Sequence, residues 1–96
     1  MQFIFNGFDK VGHLNTRMEN RDNHLAFLKT AQDNNIKLLV VGPILNDNGD
    51  MAGSTIIMEC DNKQIASDWL SNDPYNKAGL FEKTTLFEYK IVINNF

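Results

Sequence analysis

The stretch IKLLVVGPIL, residues 36–45, is apolar at nearly every position and closed on both sides by turn-forming residues. A short run without alternation reads as a strand buried on both faces. It leads into NDNGDMAG, whose Asn-Gly pair suits a hairpin loop, and then into GSTIIMEC at 53–60, the returning strand. An antiparallel hairpin therefore occupies the middle of the chain, and the remaining elements have to be built around it. QFIFNGF at 2–8 is aromatic and β-branched with partial alternation, which predicts a first strand; FEKTTLFEYKIVI at 81–93 predicts a long last one.

Two helices fill the gaps. Thr16 with Glu19 three residues on is a capping box, which places a helix start at Thr16. Asn34 and Asn35 supply its stop. Asp61 with Gln64 opens a second helix in the same manner, and Ile65, Ala66, Trp69 and Leu70 form its apolar stripe. Pro74 begins a short helical turn. The order β-α-β-β-α-β is the split βαβ, ferredoxin-like pattern of an α+β fold, here one domain over residues 1–96. Two helices cover one face of a four-stranded antiparallel sheet. The other face, with Phe87, Tyr89, Ile91 and Ile93 alternating along the last strand, is too apolar for a soluble monomer, so a homodimer is expected, with higher assemblies of dimers left open.

Ninety-six residues, 43% of them hydrophobic and 22% charged, make one ordinary globular domain. A net charge of −3 with scattered Lys and Arg argues against nucleic acid as a partner. There is no span-length apolar run and no basic leader at the N-terminus, so neither a membrane nor secretion is expected, and the cytoplasm is the expected compartment. The single cysteine, Cys60, excludes an internal disulfide and a cysteine-based metal site. No phosphate-cradling glycine motif and no nucleophile elbow is present, and the expectation is neither metal nor cofactor.

The chemistry-bearing residues gather on the first helix. At about 100° per residue, Arg17, Arg21, His24 and Leu28 fall on one stripe, and Leu25, Leu28 and Ala31 turn that side toward the sheet. Either the arginines snorkel to solvent and His24 is a boundary residue, or the stripe is the mouth of a cleft suited to a small anion. Asp73 is equally two-sided. It can cap the turn begun by Pro74, or serve catalysis with the same carboxylate, one oxygen for each use. Ser54, after Gly53, reads from spacing alone as a strand-end serine. His13 has no partner at metal-ligand spacing.

RMENRDNHLAFL, with its R-x3-R-x2-H-L core, followed by VGPIL, GDMAGSTIIME and DWLSNDPYNKAGLFE, resembles the YciI-like (YCII-related) family in order and spacing over nearly the whole chain. The resemblance implies a ferredoxin-like fold that dimerises as an α+β barrel, akin to muconolactone isomerases and small haem-free monooxygenases. It also implies a His–Asp site. Those roles fall on His24 and Asp73, with Arg17, Arg21, Ser54 and Tyr75 lining the pocket. One relative is a dehydrochlorinase of a chlorinated hydroxyquinol. The reaction class so implied is cofactor-independent proton transfer, an elimination or isomerisation, on a small anionic substrate. A non-catalytic small-acid-binding or accessory dimeric module uses the same residues. Members often end in a Pro-Trp or aromatic-basic tail that can help shape the pocket or the dimer edge, whereas this chain ends YKIVINNF.

Overall fold

The structure is a computed structural model and describes residues 1–96. Its elements are β1 (Gln2–Asp9), α1 (Leu14–Leu28), β2 (Lys37–Leu45), β3 (Met51–Glu59), α2 (Lys63–Ser71), α3 (Pro74–Lys77) and β4 (Phe81–Tyr89), with a single 3-10 turn at Gln32–Asn34. The sheet order is β2-β3-β1-β4 and every pairing is antiparallel. This is the expected α+β, ferredoxin-like arrangement. Because side chains alternate along a strand, the register defines two faces. Phe3 and Phe5 of β1 pair with Met58 and Ile56 of β3, and together they form the inner face, against which Ala66, Trp69 and Leu70 of α2 pack.

Several local expectations are corrected. Helix α1 begins at Leu14, two residues before the anticipated Thr16, and it has no side-chain cap. A turn in which His13 N donates to Lys10 O, with Gly12 at φ +76°, already delivers the chain into helical geometry. The same helix ends at Leu28 rather than continuing evenly to Asn34. Thr30 Oγ1 donates back to Phe27 O and accepts from Trp69 Nε1, and the chain tightens before Asn35, at φ 59°, ends it. Asn62, not Asp61, caps α2, accepting from Ile65 N at 2.9 Å.

Strand β2 is an edge strand, so it is not buried on both faces within one chain; Val41 and Leu45 are exposed. Strand β4 stops at Tyr89 instead of running to 93, because its partner β1 begins at Gln2, the residue opposite Tyr89. The outer face carries Ile4, Val40, Ile44, Ile57, Phe87 and Tyr89, of which Phe87 is 59% exposed. No helix is long and apolar enough to cross a membrane.

Candidate active site

The inner face changes character toward one end. There the core of Phe3, Phe5, Ile56 and Met58 gives way to Asp9, Ser54, Arg17, His24 and Asp73, all buried or nearly so. Uncompensated polar groups at this depth would cost several kcal/mol, on the order of 2–7 each without a hydrogen bond. No fully buried side-chain nitrogen or oxygen in the chain lacks a partner. The cluster is therefore internally consistent, and its partners say what each group can still do.

Asp73 serves two purposes at once. It is the N-cap of α3: its Oδ1 accepts from Tyr75 N at 2.9 Å, with Pro74 in the first helical position. Its two oxygens also sit 2.9 and 3.0 Å from His24 Nδ1. An ionised carboxylate only accepts, so the contact puts a ring hydrogen on Nδ1, and in the neutral imidazole Nε2 is then the acceptor. Nε2 has no partner within the chain, and His24 lines a cavity of about 240 Å³ between α1 and the β2–β3 hairpin. The ring is held at one nitrogen and free at the other.

Tyr75 stacks on His24, with ring centroids 4.0 Å apart and planes 15° off parallel, and Arg17 Cζ lies 4.5 Å from the Tyr75 centroid. One ring face cannot carry both at these distances, so the tyrosine is clamped between two residues that stand two turns apart on α1. Phe81 braces it from the edge, at 6.2 Å and 84°. Gly7 makes room for Phe81: a Cβ there would lie 2.7 Å from the ring. Burial pushes the Tyr75 phenol above its ordinary pKa, against the opposing pull of Arg17.

Arg17 is 2% exposed. Its Nε and Nη2 donate to the two oxygens of Asp9 at 2.7 and 2.9 Å, and Nη2 also donates to Ser54 Oγ at 3.0 Å. Burial works against its charge, yet the hydrogen bond and attraction of Asp9 outweigh that and hold its pKa above the ordinary value. A guanidinium has no acceptor, so Ser54 must receive this bond and keeps its own hydrogen free for the cavity it lines. No base touches Ser54, so nothing within the chain activates it as a nucleophile. Arg21, one turn farther along α1, lines the same cavity, is exposed, and has no ion-pair partner.

Five of the six residues singled out from the sequence thus line one cavity, and the sixth, Asp73, stands behind His24. Arg17 and Arg21 differ in that the first is neutralised and the second is not. Leu25 was expected to face the sheet but is 40% exposed at the cavity rim. Asp9 was missed. Its signal was present, since β1 alternation puts Phe3, Phe5, Gly7 and Asp9 on one face and an inward arginine demands a carboxylate.

A family model described as the YCII-related domain matches residues 1–90. The chain belongs to the YCII-related family. An uncharacterized protein of Haemophilus influenzae is 36% identical over 98 residues, covering 96% of this chain and 99% of that protein. Protein YciI of Escherichia coli is 34% identical with the same coverage. The crystallised 5-chloro-2-hydroxyhydroquinone dehydrochlorinase (TftG) of Burkholderia phenoliruptrix, in complex with 2,5-dihydroxybenzoquinone, superposes with a TM-score of 0.83 at 36% identity over 94% of each chain. An antibiotic biosynthesis monooxygenase aligns over 96% of this chain and 98% of its own at TM-score 0.56 and 9% identity, a likeness of fold alone.

Proposed function

We propose that this member of the family is a small enzyme in which His24, oriented by Asp73, moves a proton on a small anionic, ring-shaped substrate. The observation that carries the reading is the His24 ring itself: Nδ1 is bound by both Asp73 oxygens while Nε2 makes no hydrogen bond within the chain, on a residue that lines a cavity. An imidazole so held can take a proton from a ligand at Nε2, with the carboxylate stabilising the imidazolium that forms. Ser54 and Arg21 supply a donor and a positive charge on the same walls, suited to an oxygen that gains negative charge as the proton leaves.

The likeness to a dehydrochlorinase at 36% identity supports an elimination as the reaction class. Loss of hydrogen chloride from the keto tautomer of a hydroxylated ring needs a base for a hydroxyl proton while chloride departs with its bonding electrons. His24 fits the base. The test is chloride release from 5-chloro-2-hydroxyhydroquinone by the wild type and by His24→Ala. Turnover that disappears in the variant supports the reading. A variant as active as the wild type overturns it, and binding without turnover in both leaves a small-acid-binding module in its place.

The second part of the proposal concerns assembly. The outer sheet face presents Ile4, Val40, Ile44, Ile57, Phe87 and Tyr89 to solvent in one chain. A patch of this kind is self-complementary under a two-fold axis, so we assign its cover to a second copy of the chain. A monomer mass by light scattering at micromolar concentration would count against it.

A further inference from the structure

We propose that Asp9 sets the charge selectivity of the His24 cavity: by neutralising Arg17 it leaves Arg21 as the single uncompensated cation, so the cavity takes a singly charged organic anion and discriminates against a dianion. This rests on reading the cavity as the ligand site, and not on any proton transfer within it.

Two arginines on one cavity wall would ordinarily suit a doubly charged group such as a phosphate monoester. The contacts point the other way. Asp9 grips Arg17 through both of its oxygens, at 2.7 and 2.9 Å, and the pair is buried, so together they offer the cavity donors without net charge. Asp73 adds a second carboxylate behind the His24 ring. A ligand entering past Arg21 meets one free positive charge, the neutral Arg17–Asp9 pair and, behind the His24 ring, the carboxylate of Asp73. The first unit of ligand charge is compensated by Arg21. A second unit has no cation left to compensate it and lies on the side of the Asp73 carboxylate, where burial weakens solvent screening.

Phenyl sulfate and phenyl phosphate test this, because they share shape and differ by one charge at about pH 8, above the second ionisation of a phosphate monoester. Calorimetric titration of the wild type is expected to show phenyl sulfate binding about tenfold tighter. Arg21→Ala should abolish that binding. Asp9→Asn should shift the preference toward phenyl phosphate, since Arg17 is then an unpaired cation. If Asp9→Asn does not fold, the neutral pair Asp9→Asn with Arg17→Gln decides the matter: it removes both charges together and should keep the preference for phenyl sulfate. Equal or tighter binding of phenyl phosphate by the wild type overturns the proposal. So does an absence of saturable phenyl sulfate binding, or a roughly tenfold loss of it in the neutral pair, which would mean that Arg17 holds the ligand directly. The proton-transfer reading fails separately, on turnover by His24→Ala, with anion preference untouched.

Discussion

The two faces of one sheet reverse the usual rule of polarity. On the inner side, at the end where β1 and β3 meet α1, charged and polar groups are sealed in: Arg17, Asp9, Ser54, His24 and Asp73. On the outer side of the same sheet, Ile4, Ile57, Phe87 and Tyr89 are left partly or largely in water. The inner cluster needs nothing further for its own hydrogen bonds, because its members satisfy each other. The outer face has no helix against it, only residues that follow β4, Ile91 and Phe96 among them, which border a cavity with Val40 and Ile57. The comparison separates two kinds of demand. Within the buried polar cluster two atoms make no bond inside the chain, Nε2 of His24 and the hydroxyl hydrogen of Ser54, which is where the proposed ligand would act. The exposed apolar face is where the proposed second copy would sit.

The inner cluster is where the largest effects are expected. His24→Ala should lower chloride release from 5-chloro-2-hydroxyhydroquinone by about 10²–10⁴-fold, the usual contribution of a positioned acid or base, while far-UV circular dichroism stays unchanged. Asp73→Asn should also lower turnover, yet keep the fold, because asparagine caps a helix nearly as well as aspartate. Unfolding of that variant would show that the carboxylate serves structure first.

Breaking the Arg17–Asp9 pair should act on stability. Arg17→Ala leaves a buried carboxylate unpaired, and urea denaturation should show a loss of about 3–5 kcal/mol. A loss below about 1 kcal/mol would class the pair with exposed surface ion pairs, against the burial seen for both partners.

The outer face is sharpened by Ile57→Glu, which places a charge at its centre. The variant should be monomeric by light scattering, with its cavity residues undisturbed because they lie on the other face. An unchanged mass would detach the apolar face from assembly.

The smallest effect concerns Tyr75. Its folded-state pKa is raised by burial, so the neutral phenol is favoured in the native state. That contribution to stability is fully present below the ordinary tyrosine pKa of about 10 and is lost as the pH rises through the higher folded value. Alkaline titration of the phenolate absorbance should contain a late component that Tyr75→Phe removes.

Much of this fold follows from local rules. The Asn-Gly hairpin, the stripe Ile65, Ala66, Trp69 and Leu70, the proline after Asp73 and the order of elements each depend on residues close in sequence, whose propensities act before any tertiary contact forms. The convergence of His24 and Asp73 also follows once the split βαβ order is accepted, because both helices then lie on one sheet face. Boundaries were less legible. The start of α1 was decided by the turn at Lys10–Gly12 rather than by Thr16, and the end of β4 by where β1 begins.

What the sequence by itself determined, then, is the element order, the class of fold and the set of residues able to do chemistry. Which of those residues remain free to act was decided by tertiary structure alone. Asp9 meets Arg17 across eight positions and Ser54 meets it across thirty-seven, distances bridged only by the sheet register and by the docking of α1. A charge pattern on one helix shows two like arginines. Only packing shows that one carries its counter-charge and the other does not, because neutralisation depends on what lies within a few ångströms and not on what lies nearby in the chain.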